Sequence, residues 1–328
     1  MSRIISATAP WNARKFFFQW EWLLVVIFLT IHLINSFISP WYLDIETFII
    51  VPRIFLDKAF IVLPMMLIII LGKIDISVGS NVALTSVLMA VSFNAGLPMP
   101  LAIAAALVIG TVLGGINGLL LIKFKELPAM IVTLATMTIY RGVAFVILRD
   151  QASGGFPDWY SHFAWGYVGP FPIIMVVFTL TALVFGLLLH KTGFGRLIYG
   201  MGNNLTACNY SGVKTDRVVL IVWLLSGLMC ALCAIFLTSR MGSTRPNVAM
   251  GYELDVIAMT VLGGVSTSGG TGRIIGPLLA IFIIGFLTYG LGLVNISAQI
   301  MLIVLGLLLI LSVLVMNLQT LKRGKKSV

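Results

Sequence analysis

The chain has 328 residues, of which 59% are hydrophobic and 10% charged, with a formal net charge of +10 and a mean hydropathy of +1.08. Soluble domains run near half apolar and a quarter charged, so these proportions exclude one and require an integral membrane protein. Apolar runs of about 20 residues, enough to cross a hydrocarbon core of about 30 Å, recur without the alternation of barrel strands; an all-α polytopic bundle is expected, its backbone groups satisfied inside helices.

Residues 1–19, beginning MSRIISATAPWNARK, carry no apolar core and no small-residue cleavage site, and read as a cytoplasmic lead-in. Ten spans are expected at 20–39, 56–72, 76–95, 99–122, 128–148, 171–190, 217–238, 252–265, 274–293 and 296–316, followed by a basic tail, 317–328, all in one transmembrane domain. With the N-terminus in the cytoplasm, fifteen Lys and Arg residues fall at the inner ends, and five (Arg53, Lys58, Arg149, Arg240 and Arg245) fall outside. That asymmetry places both termini in the cytoplasm and the protein in the inner (plasma) membrane. The positive balance therefore reports topology, with lipid and not nucleic acid as the partner.

The second run, Ala59 to Gly72, has fourteen residues and covers only about 21 Å. It ends in GKIDISVGSN (72–81). The eighth, Val256 to Val265, is shorter still and ends in GGVSTSGGTGR (263–273). Interrupted segments in both halves point to an internal inverted repeat with a polar pathway at its interface, although the second break also reads as an ordinary tight loop. A charge left at the bilayer centre costs about 2.5–3.5 kcal/mol, so Asp75 needs a partner. Lys73, two residues away, would not face it on a helix; Arg141 is the candidate.

In the fourth span Gly114, Gly115 and Gly118 surround Asn117, and close helix packing explains the glycines but leaves the amide over. In the fifth, Thr133, Thr136 and Tyr140 share one face, the threonines either lining a pathway or bonding back to their own helix. Arg141 is a functional candidate unless it snorkels to the surface. Glu253 and Asp255 either complement the start of the eighth helix or belong to an outer mouth.

The longest stretch without a span, 149–170, has twenty-two residues, too few for a core of its own. No GxxxxGKS or GxxxxGKT sequence occurs, so energy must come from a partner, an ion gradient or the substrate's own gradient. His32, His162 and His190 are scattered, with no HExxH or GxSxG, so no enzyme is expected. Cys208, Cys230 and Cys233 are too few for a disulfide framework or a metal site, and no cofactor is expected. YGMGNNLTACNYSGVKTDR (199–217) lies on the cytoplasmic side, yet no charge occurs from Leu197 to Val213. Such a segment faces something other than water; 204–210, with Gly202 before and Gly212 after, suits a short helix that seats in a cleft of a soluble protein.

Three stretches, GKIDISVGS (72–80), GRLIYGMGNNLTACNYSGV (195–213) and GYELDVIAMTVLGGVSTSGGTGR (251–273), resemble in order the GGIDLSVGS-like, GR…GxNxxAAxxSGI and GYELDAIAAVVLGG…GGxGR motifs of permease subunits of ABC importers for simple sugars. That family includes ribose, rhamnose and autoinducer-2 permeases, and the likeness runs from about residue 45 onward. The departures are Lys73 in place of a glycine and Thr206, Ala207 and Cys208 in place of the usual alanine pair and the residue after it. GGFP and LHKTGFGR are most similar to the rhamnose and autoinducer-2 branch. The resemblance implies a type II ABC importer-like fold and a dimer of this permease with itself or with a second permease. The coupling segment 197–213, through Gly202, Asn203, Asn204, Ala207, Ser211 and Gly212, would seat on an ATPase subunit. A periplasmic binding protein would deliver the sugar to a pathway lined by Asp75, Ser77, Asn81, Asn117, Thr136 and Arg141, with Glu253 and Asp255 at its outer mouth. Two other readings remain: an ion-coupled secondary carrier using Asp75 and Arg141, and a membrane anchor for a soluble complex.

Overall fold

A computed structural model describes residues 20–39, 42–297 and scattered positions between 299 and 314. The expected lead-in, the basic tail and much of the tenth span lie outside the described residues. The described chain is a polytopic helical membrane bundle. Its elements are α1 (Trp20–Ile38), α2 (Ile45–Ile50), α3 (Pro52–Ile70), α4 (Val78–Asn94), α5 (Met99–Lys123), α6 (Ala129–Leu148), α7 (His162–Trp165), α8 (Ile173–Lys191), α9 (Gly193–Asn203), α10 (Leu205–Tyr210), α11 (Thr215–Met241), α12 (Tyr252–Leu262) and α13 (Ile275–Leu293). Among the described residues six of these, α1, α5, α6, α8, α11 and α13, are long and apolar enough to cross a membrane.

The second run is longer than its hydropathy suggested. Pro52, whose missing N–H costs nothing in a first turn, starts α3 four residues ahead of the expected span, giving 19 residues and about 28 Å. The early boundary was hidden because Arg53, Asp57 and Lys58 lie within the helix. All of α3 except Ile54 and Lys58 is buried; helices α8, α11, α12 and α13 surround it. The other short run stays short, since α12 has 11 residues. Both expected breaks are present, as 72–77 between α3 and α4 and as 263–274 between α12 and α13. Gly72, Gly264, Gly269 and Gly270 have φ between +73° and +85°, a left-handed backbone that glycine adopts without a Cβ penalty.

The centre of the bundle is α11 against α5. A Cβ on Gly114 would meet the Trp223 carbonyl and the backbone of Gly227, and one on Gly110 would meet Ala231, so close backbone approach is what these glycines provide. Helix α1 lies on α13, and α4 on α6.

The ends of the bundle are distinct. One carries 95–98, 149–172 and 242–251, where Ser153 pairs with Thr244 and Tyr167 with Pro172 in two short antiparallel ladders. Tyr160 pins this loop region down: it is 1% exposed, and its hydroxyl donates to the Ile235 carbonyl at 2.8 Å. The other end carries both helix breaks, 124–128 and 192–214.

Candidate functional site

The sequence of the first break explains its shape. Asp75 accepts hydrogen bonds through Oδ1 from the Ser77 amide (2.9 Å) and hydroxyl (2.6 Å), a local turn of the kind aspartate forms with the backbone two residues on. That turn fixes where α4 begins. Asn117 of α5 donates Nδ2 to the Ser77 hydroxyl at 2.7 Å. Tyr140 of α6 donates to the Leu113 carbonyl at 2.8 Å and lies 3.4 Å from Asn117 Oδ1. Ser226 of α11 completes the group, its hydroxyl reaching Asp75 Oδ2 at 3.5 Å. Thr133 accepts from the Ile76 amide at 3.2 Å and donates back to the Ala129 carbonyl at 3.0 Å. Asp75, Ser77 and Asn117 are each 2% exposed or less.

The expected Asp75–Arg141 pairing is corrected by this geometry. Arg141 turns the other way, and its Nη1 donates to the carbonyls of Pro246 and Val248, both at 2.7 Å, which ties α6 to the loop before α12. The Ser77 amide and hydroxyl and the Ser226 hydroxyl, all neutral, satisfy the Asp75 carboxylate instead. A buried polar group is tolerable when its hydrogen bonds are made, and an arginine is not required for that. Asn81, one turn into α4, bonds the Gly110 carbonyl at 3.3 Å and accepts from Thr85 at 3.1 Å. Thr136 bonds back to its own helix, at the Val132 and Thr133 carbonyls, so of its two readings the local one is seen.

At the opposite end of α3, Asp255 forms an ion pair with Lys58. Glu253, 8% exposed, accepts from the Gly251 amide at 3.2 Å, and Gly79 leaves room for its carboxylate. Glu253 thus complements the start of α12, whereas Asp255 is committed to α3. Asp57 lies beside them, 1% exposed, accepting from Arg240 Nη2 at 2.6 Å and from the Tyr252 hydroxyl at 3.4 Å. A cavity of about 460 Å³ opens here between α3 and α13, with Phe55, Lys58, Thr288 and Tyr289 in its wall.

The uncharged segment folds as two helices at the end that carries the breaks. Thr192 caps α9, accepting from the Gly195 amide at 3.2 Å. Asn204 interrupts the helix with an extended backbone and caps α10 through Oδ1, which accepts from the Ala207 amide at 2.9 Å, the geometry that makes asparagine a strong N-cap. Gly212, at φ +77°, ends it. Asn209 accepts from the Thr215 hydroxyl at 2.7 Å, fastening α10 to the start of α11. The helix expected over 204–210 is therefore present at 205–210. It projects from the bundle: Tyr210 is 89% and Leu205 46% exposed, and Asn204, Ala207, Ser211 and Gly212 are exposed with them.

Gly202 and Asn203 behave differently. Gly202 precedes the short helix, inside α9; a Cβ there would collide with the Ile70 carbonyl and the backbone of Gly270. Asn203 donates Nδ2 to the carbonyls of Tyr199 (2.8 Å) and Gly270 (3.2 Å). The Gly270 amide donates to the Ile70 carbonyl at 2.8 Å, and the Tyr199 hydroxyl donates to the Gly272 carbonyl at 2.6 Å. Burial holds the Tyr199 phenol above its ordinary pKa, with Arg273 pulling it back, so it serves as a neutral donor. These contacts join α9, the end of α3 and the second break in one junction. Sequence reading missed Tyr199, Gly270, Ser226, Leu205 and Tyr210; the paired glycines 269–270 were the available signal for the junction, and Tyr210 stood out as a large aromatic in a segment otherwise small and polar.

Residues 53–313 match the family model described as Branched-chain amino acid transport system / permease component. The chain is similar to the ribose import permease protein of Bacillus subtilis, 40% identical over 284 residues that cover 86% of this chain and 88% of that one. It is also similar to the ribose import permease protein of Haemophilus influenzae, at 36% identity over 87% of this chain and 89% of that one. The autoinducer 2 import system permease protein of Escherichia coli O157:H7 is 33% identical, over 90% of this chain and 92% of that one. No solved structure matches the chain significantly.

Proposed function

The chain belongs to the family of permease components of ATP-binding-cassette importers, and from that membership we propose that it is the membrane subunit through which a simple sugar or sugar-like molecule, of the ribose, rhamnose or autoinducer-2 class, enters the cell. The family's description names branched-chain amino acids, while the relatives at 33–40% identity are named for ribose and autoinducer 2, and the narrower resemblance carries the substrate class. A separate ATPase subunit drives it, a periplasmic binding protein delivers the substrate, and a second permease, identical or similar, completes the pathway. The end carrying 149–172 faces the periplasm; the end carrying 192–214, and both termini, face the cytoplasm of a cell whose inner membrane holds the protein.

The observation that carries this reading is α10, a capped, uncharged helix that presents Tyr210 and Leu205 to the outside of the bundle from a base bonded to the second break and packed on the end of α3. Exposed apolar side chains at a membrane protein's aqueous end mark a docking surface, and a helix laid into a groove is a standard mode of recognition. Asn204, Ala207, Ser211 and Gly212 form the face offered to the ATPase, and Gly202 and Asn203 connect that face to the spans. The Asp75, Ser77 and Asn117 group, with Asn81 beside it, borders the pathway at the point where α3 gives way to α4. Thr136 and Arg141 shape it from α6, and Glu253 and Asp255 shape its outer mouth.

Co-purification of the permease with its ATPase tests the docking. Replacing Ala207 and Tyr210 with glutamate is expected to abolish the complex while leaving the permease folded; undiminished assembly would overturn the role of α10. The secondary-carrier reading has no support in the geometry, because Asp75 and Arg141, the pair it relied on, are bonded to other groups.

A further inference from the structure

We propose that Asp57, Lys58, Arg240 and Asp255 form an ion-pair clasp that makes α3 the mechanical link between the cytoplasmic coupling segment and the outer mouth of the importer. The inference rests on the importer reading above and extends it to the contacts of α3 with α11 and α12, away from the ATPase-docking face.

The argument starts from the two ends of α3. At its last turn the Ile70 carbonyl accepts from Gly270 and sits against Gly202 with no Cβ between them. A shift of α9 therefore presses directly on the end of α3. The helix itself is about 28 Å long and almost wholly buried, so it has little lipid face into which a push could dissipate. Packed interiors move between discrete arrangements and do not deform continuously.

At its first turns α3 carries two adjacent charges that bind two different helices. Asp57 takes Arg240, from the last turn of α11, at 2.6 Å, and Tyr252 of α12 at 3.4 Å. Lys58 takes Asp255 of α12, and its Nζ lies 5.5 Å from the Tyr252 ring. Asp57 Oδ1 also accepts from the Lys58 backbone amide at 2.8 Å, which fixes the Asp57 side chain against the helix. Partly buried pairs of this kind are weak evidence for stability, and setting register is their best-attested use. Lys58 lines the cavity between α3 and α13, so sliding α3 changes the shape of that cavity. The four residues are positioning residues: they fix the register at which motion from the coupling segment reaches the mouth.

The test uses the full importer, permease with ATPase and binding protein, reconstituted in lipid vesicles, and reads sugar carried per ATP hydrolysed. For K58M the expected result is binding-protein-stimulated ATP hydrolysis kept within about twofold of wild type and a transport-to-hydrolysis ratio reduced by about tenfold, the range of an ordinary coupling free energy. K58R should restore the ratio, and the exchanged pair K58D/D255K should restore much of it. Tyr252→Phe removes one hydroxyl without a buried charge change, and supplies a variant that assembles even if K58M does not; it should lower the ratio a few-fold. Transport and hydrolysis falling in parallel, or an unchanged ratio in Y252F and K58M alike, would overturn the clasp. If wild type itself shows no ATP-dependent uptake, the importer reading fails instead, so the two failures are distinguishable.

Discussion

Replacing Asp75 with alanine removes the acceptor that holds Ser77 at the end of the first break. The Ser77 amide and hydroxyl each lose a bond to the carboxylate, at 2.9 and 2.6 Å, in a site where both residues are 2% exposed or less. A hydrogen bond to a charged group is worth about 1.5–3 kcal/mol, and each buried donor left unpaired costs about 1–3 kcal/mol. Release from burying the carboxylate offsets part of this. Taking about 2 kcal/mol for each of the two bonds and about 1 kcal/mol back for the carboxylate gives a net loss of about 3 kcal/mol. Asp75→Asn keeps an acceptor oxygen and is expected to cost about half as much. Equilibrium unfolding of the purified permease in mixed micelles measures both, and the order wild type, D75N, D75A is the signature. If D75A unfolds at the wild-type midpoint, the Asp75 network is not what fixes the α3–α4 break.

Further outcomes follow from the same geometry. Gly227→Val places a side chain against the Gly110 carbonyl at the α5–α11 crossing; overpacking of a tight interior costs about 1–3 kcal/mol or more, so its expression and unfolding midpoint should drop well below those of Gly142→Val, whose Cβ meets nothing. Asn204→Ala deletes the α10 cap and should cost about 1 kcal/mol of local stability, read as faster amide exchange across 205–210, with Asn204→Asp retaining protection. Arg141→Met frees the Pro246 and Val248 carbonyls, and faster exchange should be confined to 245–251; a change centred on 75–77 would instead mean that Arg141 supports Asp75.

Much of this architecture was legible because hydropathy and glycine report directly on it. The spans, both breaks and the short helix after Asn204 follow from apolar length, left-handed glycines and a capping side chain, each a local property of the chain. The start of α3 was hidden for the opposite reason: Arg53 and Lys58 read as charges at the outer end, whereas Asp57 and Lys58 are held within the helix by partners on α11 and α12, some two hundred positions away in sequence, and Arg53 lies over the Tyr167 ring. Asp75 was recognisable as a buried carboxylate, but the choice between Arg141 and Ser226 as its partner depends on how α6 and α11 are rotated, which no local pattern states. The tight approach of Gly202 was hidden for the same reason, since the carbonyl it accommodates belongs to Ile70.

The central claim is that the projecting α10 helix receives its drive from a motor protein that burns ATP. Vesicles holding the permease, its ATPase and the binding protein measure this most directly when sugar accumulation is followed with ATP inside and the proton gradient collapsed. Accumulation that persists under those conditions, and disappears when Tyr210 is replaced by glutamate, is the predicted result. Accumulation that proceeds without ATP and stops when the proton gradient is collapsed would contradict it.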